Sequence, residues 1–253
     1  MLQALEAAVV EGVIVPALAA TLKGRLQYTR AQTFGRAGAP GLQALRCYEA
    51  GRPWGAGEVA DVADFWRRHF AARRPRRVRF KEQLPPVLIF TDGAVETIGC
   101  RLCVTVGGVL FDPWTKATPV YFAEEVSASR VDRWLAAGTK HPVFQAELLP
   151  VAMAAESWAH LTRDRDVILF LDNEAARYSL VRGYSPVLTA AKVIGEAWLS
   201  FAGCGAAVWF ARVPTESNPA DAPSRGQECP GWQRIRPKVP RGLGCASEWC
   251  KAG

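Results

Sequence analysis

Four acidic residues stand where a carboxylate can do chemistry rather than merely solvate the surface. Asp92 and Asp172 each follow a short unbroken apolar run, Val87-Leu88-Ile89-Phe90 and Val167-Ile168-Leu169-Phe170-Leu171, which reads as a buried strand. The carboxyl ends of neighbouring strands are where open α/β sheets gather their ligands. Glu147 lies within Gln145-Ala146-Glu147-Leu148-Leu149, flanked by residues that must face a core. Asp221 follows Asn218-Pro219, a cap and a proline that open a short helix running to about Arg225, so the helix dipole favours its ionised form. Four carboxylates brought together without Lys or Arg partners repel one another. Divalent cations relieve that repulsion, and an all-oxygen ligand set suits Mg²⁺ or Mn²⁺ rather than Zn²⁺. Two such ions about 4 Å apart can activate water and stabilise the leaving oxygen of a phosphodiester.

A second chemical feature is positive charge. The chain carries 31 Lys+Arg against 24 Asp+Glu, and Arg67, Arg68, Arg73, Arg74, Arg76, Arg77, Arg79 and Lys81 form one run without an acid. Without these eight, 23 − 24 leaves −1, so the basicity is local and of the kind that meets phosphates. Arg73, Arg74, Arg76 and Arg77, with Asn173 and Asn218 beside two of the acids, are the expected nucleic-acid contacts. The seven cysteines are odd in number and scattered, which predicts free thiols in a reducing compartment. Cys229, Cys245 and Cys250 make three soft ligands at uneven spacing, short of a structural zinc site. Trp158, Trp198 and Trp209 fall inside regular elements and read as core rather than as base-stacking platforms. No apolar stretch is long enough to span a bilayer, and none follows the cations of a signal peptide, so the expectation is a soluble intracellular chain.

The elements that must position the acids follow from periodicity and punctuation. Before residue 84 the pattern is helical, broken by Gly35, Gly38, Pro40 and Gly41, with a short helix over Leu42 to Tyr48, a turn at Gly51 to Gly55 and an amphipathic helix over Val59 to Phe70. From Val87 onward strands alternate with helices. Val106 to Phe111 and Pro119 to Phe122 suggest a hairpin, Phe144 to Leu161 a helix, and Ala206 to Ala211 a last strand. Gly99 to Thr105 fits either strand or insertion. Ser185-Pro186 predicts the start of a long helix that Gly203 and Gly205 end. Pro150, three residues after Glu147, conflicts with the carbonyl of Ala146, so that helix is expected to start late or to kink. The tail from Gly226 is rich in Gly, Pro, Arg and Cys. A mixed sheet covered by helices is the architecture these elements suggest.

Thr91-Asp92-Gly93-Ala94, Gln145-Ala146-Glu147-Leu148, Phe170-Leu171-Asp172-Asn173 and Asn218-Pro219-Ala220-Asp221-Ala222-Pro223-Ser224-Arg225 together resemble the four blocks of the ribonuclease H domain of retroelement reverse transcriptases. The resemblance covers Val87 to Arg225. It implies an α/β fold with a five-stranded mixed sheet whose second strand is antiparallel and begins at Gly107-Gly108. It also assigns Asp92, Glu147, Asp172 and Asp221 as metal-binding carboxylates. Upstream, Leu22-Lys23-Gly24-Arg25-Leu26-Gln27-Tyr28 and Gln32-Thr33-Phe34-Gly35-Arg36 look like the segment joining polymerase to ribonuclease H in tyrosine-recombinase-type retroelements. No adjacent Asp-Asp pair occurs, so the polymerase metal motif is missing. The histidine that many cellular ribonucleases H carry before the last acidic helix is also missing, since Val213-Pro214-Thr215-Glu216-Ser217 contains none.

The resulting expectation is a helical connection-like segment with a basic linker over 1–84, a ribonuclease H-like domain over 85–226 and an irregular tail over 227–253. Its implied activity is metal-dependent hydrolysis of the RNA strand of RNA–DNA hybrids, leaving 3′-hydroxyl and 5′-phosphate ends, with a polymerase acting in trans as a possible partner. The competing expectation is a nucleic-acid-binding module of the same fold that turns over slowly or not at all.

Overall fold

The computed structural model describes residues 1–32, 36–52, 56–72, 84–139 and 141–244. Arg73, Arg74, Arg76, Arg77, Arg79 and Lys81, the turn at 53–55, and Cys245 and Cys250 lie outside the described residues.

Helical periodicity before residue 72 builds α1 (Leu2–Glu11), α2 (Pro16–Gln32), α3 (Ala39–Glu49) and α4 (Ala56–Ala71) around their own core of Leu5, Leu22, Leu26, Leu42, Leu45, Val59 and Trp66. α3 begins earlier than its punctuation predicts, with Pro40 and Gly41 taken into its first turn, where proline has no intrahelical hydrogen bond to lose. Gly41 also permits close packing, because a Cβ there would lie 2.7 Å from the rings of Phe65 and Trp66 on α4.

The second part is a six-stranded mixed sheet in the order β5-β4-β1-β2-β3-β6. Its strands are β1 (Val87–Ile98), β2 (Arg101–Phe111), β3 (Val120–Glu125), β4 (Asp166–Leu171), β5 (Ala207–Arg212) and β6 (Gln233–Arg234). β2 is antiparallel to β1 and β3, whereas β4 runs parallel to β1, and β5 parallel to β4. Three corrections follow. The sheet has six strands rather than five, because two tail residues pair in parallel with β3. β2 begins at Arg101, so Gly107-Gly108 lies inside it and the ambiguous Gly99 to Thr105 stretch is mostly strand. β1 does not end at Asp92 but continues to Ile98, held by β2 alone, since its pairing with β4 stops at Phe90.

α5 (Ala128–Ala136), α6 (Val143–Ser157), α7 (Glu174–Arg182), α8 (Leu188–Cys204) and α9 (Asp221–Ser224) complete the chain's α-helices. Val87 and Ile89 on β1 join Leu148, Ala152, Trp158, Val193, Ile194 and Phe201 in the large core. Strand alternation puts Phe90 on the other face, with Val109, Tyr121, Ala123 and Trp232. α6 runs through Pro150 without interruption. α8 starts at Leu188 rather than at Ser185-Pro186, because the Ser185 hydroxyl accepts from Val187 N (3.1 Å) in a tight turn instead of capping the helix. Gly205, left-handed at φ 74°, ends it as expected.

The tail is less irregular than its composition predicts. Leu243 enters the large core, Lys238 N donates to Ser157 Oγ (2.7 Å), and Gly242 N donates to Glu196 Oε2 (3.2 Å). Glu196 in turn receives both terminal nitrogens of Arg68 at 2.7 and 2.6 Å, while Arg68 Nε reaches Asp64 at 2.7 Å. Helix α4, helix α8 and the tail thus meet at one bidentate ion pair. None of the helices among the described residues is long and apolar enough to cross a membrane.

Candidate active site

Asp92 and Asp172 come together through register. Phe90 lies opposite Phe170 across the parallel β1–β4 pair, and the two rings stack with centroids 4.5 Å apart. Two residues further along each chain, on the same face, stand the two acids. Glu147 joins them from the first turns of α6. Gly93 makes this approach possible: a Cβ there would lie 2.3 Å from the Ala146 carbonyl oxygen and 2.8 Å from Glu147 N. That carbonyl is the one to which Pro150 offers no N–H, so the proline's cost falls where the helix touches the strand. Asp92, Glu147 and Asp172 each offer an oxygen, all within 4.8 Å of one another.

α9 approaches from the opposite side over another glycine. Gly107 pairs with Asp92, and a Cβ on it would lie 2.4 Å from Ser224 N. The Ser224 hydroxyl donates to Asp92 Oδ2 in a short hydrogen bond, while Thr215 Oγ1 donates to Asp172 Oδ2 at 2.9 Å. Asn218 ties this loop to the sheet by donating Nδ2 to Thr91 O (3.2 Å) and accepting from Ala220 N (3.1 Å). Asn173 caps α7, its Oδ1 accepting from Ala176 N at 3.0 Å. Both asparagines, expected as nucleic-acid contacts, thus have backbone partners.

The structure corrects the expectation of four carboxylates without cationic partners. Asp221 is outside the 4.8 Å group, and its carboxylate accepts from Arg225 Nε at 3.0 Å. Residues four apart on one helical turn meet in this way. Sequence reasoning also missed Ser224 and Thr215 as partners of the acids, and it misplaced one tryptophan. Trp158 and Trp198 are core residues as expected, but Trp209 is 71% exposed on the edge strand.

The remaining three acids form a buried, electron-rich pocket. Asp92 is 5% exposed and Glu147 6%, and neither Glu147 Oε2 nor Asp172 Oδ1 has a hydrogen-bond partner. Burial, reinforced by the charges of Asp92 and Asp172, pushes the Glu147 carboxyl up to about 9. Burial likewise raises Asp92, opposed by the Ser224 hydroxyl and helped by Asp172 and Asp221. Buried acceptor oxygens without donors, on acids whose ionised form is disfavoured, fit hard divalent cations.

No protein-family model matches the chain, and no curated protein does. Among solved structures it is similar to RNase H1 from the halophilic archaeon Halobacterium salinarum NRC-1, at 20% identity over 56% of this chain and 96% of that one, with a TM-score of 0.43. It is also similar to LC9-RNase H1, described as a type 1 RNase H with the type 2 active-site motif, at 13% identity over 67% and 85% of the two chains, with a TM-score of 0.40. The strand order, with β2 alone reversed between β1 and β3 and with parallel β4 and β5 beyond β1, defines a ribonuclease H-like α/β fold.

Proposed function

We propose that the chain is a divalent-metal-dependent endonuclease that hydrolyses the RNA strand of RNA–DNA hybrids, derived from the ribonuclease H part of a retroelement reverse transcriptase of tyrosine-recombinase type. The observation that carries the reading is the set of three buried carboxylates within 4.8 Å, two with an unpartnered oxygen, on a ribonuclease H-like sheet. Asp92, Glu147 and Asp172 would hold Mg²⁺ or Mn²⁺, two ions in this reading, with Asp221 at the margin. Such cations supply positive charge to a developing phosphate oxyanion and lower the pKa of water.

The chain's own residues prepare the site. Ser224 and Thr215 each occupy one carboxylate oxygen, which fixes Asp92 and Asp172 in place. Glu147 keeps a proton near neutral pH until positive charge arrives, so loading the site releases it. Gly93 and Gly107 let two helices close on the strand and exclude water around the acids. The basic run beginning at Arg67 supplies counter-charge for phosphates. A binding module that cleaves slowly or not at all is the second reading, favoured by the Asp221–Arg225 ion pair, which occupies the fourth acid.

The two readings separate in one assay with labelled RNA–DNA hybrid and Mg²⁺ or Mn²⁺. Cleavage of the RNA strand that Asp92→Asn and Asp172→Asn each reduce by at least about a hundredfold, with melting behaviour preserved, supports the nuclease. Hybrid binding without cleavage by the parent chain supports the module. Cleavage that survives either substitution overturns the site assignment.

A further inference from the structure

The sheet face that carries Asp92 and Asp172 is covered unevenly. Over β1 to β3, α9 and the tail lie on it, with Trp232 against Phe111 and Tyr121 at 5.4 and 6.4 Å between centroids. Over β4 and β5 no described element does. Register fixes what that open strip presents: Leu88 is opposite Ile168 and Ile168 opposite Trp209, while Phe90 is opposite Phe170 and Phe170 opposite Ala211. All share one face with the acids, because successive side chains alternate. Ile168 and Phe170 are half-buried, whereas Trp209 is 71% exposed and stacks on no ring among the described residues. A large aromatic held rigidly on a strand, with its face free and only Ala211 as the next same-face residue of its strand, is an open stacking surface.

The strip is continuous with the candidate active site. Trp209 lies in register with Ile168, four residues before Asp172, about 13 Å along the strand direction. That separation is roughly four base steps of a duplex at ~3.4 Å each. Where the strip meets the site, Arg212 is paired in register with Leu171, the residue before Asp172. Arg212 is exposed and makes no ion pair within 4 Å among the described residues, although its charge is felt by Glu174. A free guanidinium beside the acids and a bare indole further down match the alternation of phosphate and base along a nucleic-acid strand.

Resting on the function proposed above, we infer that the open β4–β5 face is a track for an unpaired strand extending from the cleaved hybrid, with Trp209 stacking one of its bases and Arg212 meeting a phosphate. The occupant is single-stranded because a base within a duplex has no face free for the indole. The chain should therefore prefer a hybrid with a single-stranded extension over a blunt one.

The test is equilibrium binding in Ca²⁺, which suppresses turnover, of a blunt RNA–DNA hybrid, the same hybrid with an unpaired extension at either end, and the extension alone. The parent chain should bind one extended hybrid between about fivefold and a hundredfold more tightly than the blunt one, the range for one stacked base. Trp209→Ala should bring that ratio to about one, and Trp209→Phe should restore most of it. The indole is exposed, so the melting curve of each variant checks that folding is retained. Equal affinity of the parent for blunt and extended hybrids overturns the track, as does a ratio that Trp209→Ala leaves intact. A shift from dimer to monomer on Trp209→Ala in sedimentation also overturns it, because the face is then covered by a second copy. Metal-dependent cleavage without any extension preference would leave the nuclease reading standing and the track fallen. Trp209-dependent binding of the extension by a chain that never cleaves would do the reverse.

Discussion

Two clusters of buried acid sit at opposite ends of the molecule's logic. Where α4, α8 and the tail meet, Glu196 is 4% exposed, yet both its oxygens are satisfied by Arg68, with Gly242 N adding a further donor. At the sheet edge, Asp92, Glu147 and Asp172 are crowded together with two hydroxyls and no cation among them, and two of their oxygens have no partner. The first cluster is complete as it stands and serves architecture. The second is incomplete, and a fold that keeps such a cluster buried reserves it for charge supplied from outside.

Breaking the complete cluster should have the largest effect. Arg68→Ala leaves Glu196 buried with one backbone donor, and loss of one partner of a buried pair costs about 3–5 kcal/mol. Denaturant unfolding of the variant should show that loss with and without Mg²⁺. A change below about 1 kcal/mol would mean that the ion pair does not join the helical segment to the sheet domain.

The incomplete cluster should respond in the opposite direction. Folding raises the Glu147 carboxyl from its ordinary 4.5 to about 9, so the folded chain retains a proton that the unfolded chain releases. Stability from this group is whole below about pH 4.5 and is lost as pH rises through about 9. Glu147→Gln cannot titrate, so in the absence of metal it should be more stable than the parent at pH 8, by on the order of 1 kcal/mol or more, and the gain should vanish at pH 4. Equal pH profiles for the two proteins would show that the acids are not crowded.

How far each cluster could be read from sequence differs for a physical reason. The three acids were legible because each follows or sits within an apolar run that can only be core, and the order of the four blocks carried the rest. The extension of β1 past Asp92 was not, since Asp92-Gly93 reads as a turn and only pairing with β2 keeps it extended. Ser224 and Thr215 reach acids 132 and 43 positions away, contacts that no local pattern encodes. Asn173 and Gly183, a cap and a left-handed end, marked α7 in plain view, but its nine residues were passed over in favour of the Ser185-Pro186 signal. Trp209 was misread because an apolar strand was assumed covered on both faces, whereas β5 is an edge strand. Arg68 and Glu196, 128 residues apart, gave no sign that they would meet.

Smaller in energy but most direct in meaning is the response of the incomplete cluster to the cations it is argued to await. A titration of the chain with Mn²⁺ at pH 7.5, followed calorimetrically in two buffers of different ionisation heat, counts both ions bound and protons released. The account predicts saturable binding that releases protons, that stabilises the fold by about 2.7 kcal/mol at a hundredfold excess over Kd, and that Asp92→Asn and Asp172→Asn each weaken severely. Binding that both variants retain unchanged, or no saturable binding at all, would contradict it.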